Sequence, residues 1–287
     1  MPRHSLIVRY GADDTTNPVA EPNSLLHELN FVKSDNRFEY RIGNTLERIF
    51  ELGLKPTESA IDLLILASSV YCADTRINRT KESQDSWTRE ISLHIPVSAP
   101  QIWNNLVPLL RKSLEFLTGD KWSFYFRPRP SSFKTIARQP KKTIDKSPSC
   151  ISLFSGGLDS FIGAIDLLAA GELPILISHS WVGNASKHQE LCIKSLMNYF
   201  GDDRILRLRS TIGFPEKMIE GLGQENTERS RSFLFFSLAA LAASSFTRNM
   251  TVYVPENGLI TLNVPLDPSR IGSLSTRTTH PFFISRF

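Results

Sequence analysis

The segment Ser155-Gly156-Gly157-Leu158-Asp159-Ser160 holds the residue types that a phosphate-binding loop requires. Adjacent glycines let the backbone approach an anion closely and adopt conformations that a Cβ opposes, so successive N–H groups can converge on phosphate oxygens. The hydrophobic pattern starts a helix at Asp159 or Ser160, and the positive end of that helix points at the same spot. Ser155 and Ser160 add hydroxyl donors, while Asp159 suits a magnesium ligand or a helix cap. A plain tight turn with a cap uses the same letters. Context separates the two, because this loop follows an apolar strand and opens an amphipathic helix, where folds of alternating strands and helices bind ligands. It is neither a Walker A loop nor a dinucleotide fingerprint, since no Gly-Lys-Ser/Thr or G-x-G-x-x-G pattern is present.

Other residues could serve an anionic substrate. Arg229, Arg231, Arg270 and Arg277 each present a planar donor fork for phosphate or carboxylate, and each also reads as a surface arginine. The segment Gly272 to His280 is dense in hydroxyls beside Arg277 and His280, which suits a polar pocket or a solvated loop. His188 and His280 are candidate general bases, against the commoner reading of a lone histidine as an ordinary surface or core residue.

The elements that must position these groups follow from periodicity. Ile151 to Phe154 reads as a strand, Asp159 to Ala170 as a helix, Pro174 to Ser178 as a strand, Ser186 to Phe200 as a helix and Arg204 to Leu208 as a strand. A helix from Arg229 to Phe246, apolar nearly all round and therefore buried, and a strand from Met250 to Val254 complete the run. Alternation of this kind implies right-handed βαβ units and a doubly wound parallel sheet covered on both faces.

The first half reads as a mixed α/β domain over residues 1–126. Leu6 to Tyr10 reads as an edge strand followed by a polar turn region. Ala60, Leu63, Leu64, Ala67, Val70 and Tyr71 define one face of a helix capped by Thr57 or Ser59. Glu90 to Val97 reads as a strand, Gln101 to Leu117 as an amphipathic helix and Trp122 to Phe126 as a strand. Residues 127–149 carry four prolines among Arg129, Lys134, Arg138, Lys141, Lys142 and Lys146. This stretch reads as a basic linker, either a solvated crossing or a strip that touches RNA or a partner. Residues 150–287 form the domain that carries the glycine loop.

With 41% hydrophobic and 22% charged residues over 287 positions, the chain is globular in composition, and a formal charge of +4 is too modest for a dedicated nucleic-acid binder. Cys72, Cys150 and Cys192 have neither the spacing of a metal clip nor that of a disulfide framework, which suggests a reduced, cytoplasmic setting. The most apolar stretch, Phe233 to Phe246, is short and broken by serines, so neither a membrane span nor a signal peptide is expected.

The string Ser-Gly-Gly-Leu-Asp-Ser resembles the SGGxDS signature of the PP-loop ATP pyrophosphatase superfamily, whose members adenylate a carboxylate, a carbonyl or a tRNA base. The later segments are similar to 7-cyano-7-deazaguanine synthase, QueC. Arg231-Ser232-Phe233-Leu234-Phe235-Phe236-Ser237-Leu238-Ala239 looks like that family's arginine before a buried helix. Pro255-Glu256-Asn257-Gly258-Leu259 resembles its Gly-Val-Asn-Ala-Leu stretch, and Lys187-His188 stands where it has a Gln-Arg-His group. The resemblance spans roughly Cys150 to His280. QueC enzymes carry four zinc-binding cysteines near the C-terminus and this chain has no cysteine after Cys192, so zinc is not expected. The fifth strand is also not evident before Phe287, which suggests a shortened catalytic domain. The added N-terminal region and the Asn257 to His280 stretch look more like the QueC-like proteins of bacterial anti-phage operons, the QatC type.

The resemblance implies ATP and Mg2+ as cofactors, held by Ser155, Gly156, Gly157, Leu158, Asp159 and Ser160, with Asp159 on the metal. It implies Asp159 and Arg231 as catalytic residues and Lys187, His188, Asn257 and Arg277 at the substrate. The expected reaction joins a 7-carboxy-7-deazaguanine-like acid, activated as an adenylate, to ammonia or another amine, alongside a protein partner from the same operon. Two alternatives stay open: a tRNA substrate contacted through the basic linker, and a partner-binding module that holds ATP without turnover.

Overall fold

The computed structural model describes residues 3–19, 21–83, 85–144, 147–180, 184–227, 229–258 and 277–287. Two four-stranded sheets, each entirely parallel, make an α/β architecture. The first has the order β2-β1-β3-β4, with β1 Arg3–Arg9, β2 Ser24–Asn30, β3 Glu90–Val97 and β4 Lys121–Pro128. The second has the order β7-β6-β5-β8, with β5 Cys150–Leu153, β6 Pro174–His179, β7 Leu206–Ser210 and β8 Thr251–Tyr253. The helices are α1 Ile42–Glu51, α2 Glu58–Arg76, α3 Arg79–Glu82, α4 Pro100–Thr118, α5 Leu158–Ala169, α6 Asn184–Phe200, α7 Arg231–Ala243 and α8 Pro281–Ile284.

In the second sheet, side-chain alternation assigns the two faces. Ile151, Leu153, Ile175, Ile177 and Leu208 join one apolar cluster with α7, while Phe154, Leu176 and Ile205 join another with Ala164 and Leu168 of α5 and Ile193 and Leu196 of α6. Both faces are covered, as a buried parallel sheet requires. The first of these clusters continues without a break into Leu6, Val8, Leu93 and Trp122 of the other sheet. α2 packs directly on α7 between the sheets, which explains why Ile61, Leu64, Ile65, Leu66 and Val70 are all buried. A single apolar face for α2 is therefore a correction: a helix flanked on several sides buries residues all round it. Thr57 is its N-cap, accepting from the Ala60 N–H.

β1 is not an edge strand but lies between β2 and β3. β2 and α1 are additions to the expected elements: β2 alternates only weakly, whereas α1 buries Ile42, Leu46, Ile49 and Phe50 at helical spacing. The connection from β1 to β2 crosses without a helix, held by Asp14, whose carboxylate accepts from Arg127 at 2.7 and 2.8 Å and from the Tyr10 N–H at 3.0 Å.

The basic stretch after β4 is also not simply solvated. Arg129 is 8% exposed, pairs with Asp62 and Glu58 of α2, and is followed by the buried Phe133. Glu58 Oε1 accepts from the backbone of Ile136 at 2.9 Å and of Ala137 at 2.8 Å. Arg138 pairs with Glu47. The acidic partners lie some 70 to 90 residues earlier in the chain, so composition within the stretch does not reveal them. No helix among the described residues is long and apolar enough to cross a membrane.

Candidate active site

The glycine loop leaves the carboxyl end of β5, the strand between β6 and β8. The order β7-β6-β5-β8 places the sheet's topological switch between β5 and β8, because the chain winds outward from β5 through β6 to β7 and then crosses back past β5 to add β8 on the other side. A cavity of about 580 Å³ opens there. Ser155 and Ser160 line it from the loop, Val254, Pro255 and Glu256 from the end of β8, and Arg229, Arg231 and Ser232 from the start of α7. Trp87 and Leu117 close it from the first sheet's side, and Arg277 and Thr278 from the C-terminal segment.

The loop is pre-folded by its own serines. Ser160 Oγ accepts from the Gly156 N–H at 3.1 Å, donates to Gly157 O at 2.9 Å and lies 3.1 Å from Ser155 Oγ; the Gly157 N–H donates to Ser155 Oγ at 3.3 Å. Gly156 has φ +82, a left-handed conformation that glycine adopts at no steric cost. Gly157 is the N-cap of α5 and gives it no side-chain cap. The helix therefore presents its N-terminus at the turn without a side-chain cap, and the carboxylate in its first turn is that of Asp159.

Sequence inspection missed the residue that holds this turn in place. Gln189 of α6 is fully buried and donates through Nε2 to Ser155 O at 3.1 Å and His179 O at 3.2 Å. It lies against Gly156 so closely that a Cβ there would sit 2.7 Å from its Cγ. A polar residue in an amphipathic helix reads as solvent-facing, so only the packing of α6 on the loop exposes its role. The two residues before it, Lys187 and His188, are exposed and do not line the cavity.

Among the arginines the structure brings three together. Arg231 donates to His179 O at 3.2 Å, Arg229 to Thr118 O at 3.0 Å, and Arg277 to Phe116 O at 2.8 Å. Arg229 also lies over the Trp87 ring at 4.3 Å, and Arg277 over Phe116 at 5.9 Å. Neither Arg229 nor Arg277 has a carboxylate within 4.0 Å among the described residues. Loss of water, then the neighbouring Arg79 and Arg277 charges, lower the Arg229 pKa, and Asp74 and Asp120 act against them. Arg229 and Arg277 thus bring positive charge to a wall whose one carboxylate among the described lining residues is Glu256, an arrangement that attracts an anion.

Asp159 stands in the first turn of α5 and is not among the residues lining the cavity, though its charge acts on Glu256, which is. Loss of water first, and Asp159 second, raise the Glu256 pKa, while the Asn257 N–H partly offsets them. Asn257 is exposed and contributes no side-chain lining. His280, a candidate general base, is instead the cap of α8: its Nδ1 accepts from the Phe282 N–H at 3.1 Å and its ring packs on Phe116. Arg270 and residues 272–276 of the hydroxyl-rich segment lie outside the described residues, as does Leu259. No protein-family model matches this chain, and neither a curated protein nor a solved structure matches it.

Proposed function

We propose that the chain binds ATP in this cavity and adenylates a carboxylate, as the PP-loop resemblance implies, before an amine takes the acyl group. One observation carries the reading: an uncapped helix N-terminus with its glycine turn and three arginines converge on one cavity at the switch point of a parallel sheet. In this reaction a carboxylate oxygen attacks the α-phosphorus, the bond from that phosphorus to the bridging oxygen breaks, and pyrophosphate leaves. The amine then attacks the acyl carbon, AMP departs, and one proton is released with amide formation. The first N–H groups of α5 with the Ser155 hydroxyl receive the phosphate tail, Ser160 holds the turn that presents them, and Arg231 and Arg277 meet the charge that grows on the leaving group.

Asp159 and Glu256 are the residues that would hold a magnesium ion, since that ion takes one or two carboxylates together with phosphate oxygens. Loss of water chiefly raises the Glu256 pKa, and the Asp159 charge adds to it; a divalent cation would relieve that second, repulsive part. Such an ion supplies neutralisation of the polyphosphate. The tRNA alternative loses two of its cations, because Arg129 and Arg138 are engaged by Glu58, Asp62 and Glu47.

The test is pyrophosphate release from labelled ATP supplied with a deazaguanine carboxylic acid and an amine. Release that depends on the acid and stops in Arg231→Ala supports the proposal. Binding of ATP with no release under any acid would replace it with the partner-module reading.

A further inference from the structure

α7 carries both Arg231 and, just before its start, Arg229, yet it has no cap of its own: Ser230 at the N-cap makes no side-chain bond to the first turn. The compensating group arrives from the other half of the molecule. Asp74 of α2, fully buried, turns Oδ2 to Ser230 and accepts from its N–H at 3.0 Å and its hydroxyl at 2.8 Å. A carboxylate at this position also meets the positive end of the α7 dipole.

Asp74 cannot drift. Its Oδ1 accepts from Arg89 at 2.6 Å and from Arg79 at 3.0 Å, and Asp120 completes the set by accepting from the same two arginines at 2.7 to 2.9 Å. All four side chains are at most 5% exposed. Two cations and two anions balance, and a buried ion set of this kind is weak evidence for stability but fixes geometry. The oxygen left over after that balance is the one directed at Ser230. Ser230 is itself fully buried and lies between two arginines that line the cavity.

We propose that Asp74 is the positioning residue of this cavity, setting through Ser230 where Arg229 and Arg231 stand, so that the first sheet and its helices are a working part of the site. The consequence for phosphate binding rests on the function proposed above; the placement of Arg229 against Trp87 does not.

Ser230→Ala removes the hydroxyl half of the link and leaves the ion set intact, and Ser230→Thr restores a hydroxyl. Ser230→Cys, similar in volume and a weak donor, stands in should the alanine chain fail to fold. Three quantities are read: the thermal midpoint, acrylamide quenching of Trp87 taken as the difference from a Trp87→Phe background, and the affinity for inorganic pyrophosphate by calorimetry. Expected in Ser230→Ala is a folded chain with Trp87 more accessible to quencher and pyrophosphate bound about tenfold more weakly, the worth of one charge-assisted hydrogen bond. The threonine variant should return both to the wild-type value. Wild-type quenching in Ser230→Ala, or a threonine variant that behaves like alanine, overturns the proposal. If the wild-type chain binds no pyrophosphate, the function reading falls, and the quenching comparison alone decides the role of Asp74.

Discussion

Gly156→Ala is the sharpest perturbation of the site. The residue sits at φ +82, where a Cβ costs about 1–2 kcal/mol. The added methyl would stand 2.7 Å from Gln189 Cγ, 3.0 Å from Gln189 N and 3.1 Å from Gln189 Cα. Two of those atoms are backbone of a helix, and the Gln189 amide is held by Ser155 O and His179 O, so the side chain cannot swing aside. Overpacking of this sort costs about 1–3 kcal/mol, which brings the total to about 2–5 kcal/mol. The loop has to move away from α6, and the turn geometry goes with it. Gly157→Ala is the matched control: its φ is −82, and a Cβ meets only Ser155 Oγ at 3.4 Å. Its stability should stay within about 0.5 kcal/mol of wild type, while the methyl intrudes on the exposed side of the turn where an anion must approach. Urea unfolding and calorimetric titration with ATP read the two effects separately. Gly156→Ala should lose both stability and affinity, and Gly157→Ala affinity alone. Wild-type stability and wild-type ATP affinity in Gly156→Ala would refute the packing argument, and wild-type affinity in Gly157→Ala would remove the turn from the phosphate site.

Three further outcomes follow from the geometry. Arg231→Ala should lower acid-dependent pyrophosphate release by about a hundredfold, with Arg231→Lys recovering little because an ammonium lacks the planar fork; steady-state rates of the three proteins decide it. Burial holds His179 in its neutral form, its Nε2–H donating to Ile212 O at 2.8 Å and its pKa pulled from 6.5 to about 4. The folded chain thus binds fewer protons than the unfolded one in that window, so the contribution of this histidine is full above pH 6.5 and is lost as pH falls toward 4, by about 2 kcal/mol between pH 7 and 5, with His4 and His27 adding to the same slope; urea midpoints at the two pH values should show a loss that is smaller in His179→Gln by this one share. Arg129→Ala should cost about 3–5 kcal/mol, because Asp62 would stay buried at 0% exposure without its counter-charge, and thermal unfolding measures it.

The sequence by itself determined the strands and helices of the second sheet and the place of the glycine loop among them. The helices carry the 3.6-residue period, and a parallel sheet buried on both faces writes its strands as short continuous apolar runs. Arg231 and Arg277 were legible as candidates from the planar donor fork of a guanidinium and from the resemblance, while the choice between site and surface waited for the fold. What only the tertiary structure decided is which distant residues complete the cavity. Gln189 supports the turn from another helix, Trp87 closes the far wall, and Asp74 caps a helix that begins 157 residues later, and none of these carries a local signal because the partner is defined by packing and not by spacing. The same reason misplaced β1 as an edge strand, left the capping role of His280 unread and hid the ion pairs that Arg129 and Arg138 make within residues 127–149. Neighbouring strands, a capped N–H and buried carboxylates lie far along the chain, and hydrogen bonds and ion pairs form between groups that folding brings together, whatever their distance in sequence.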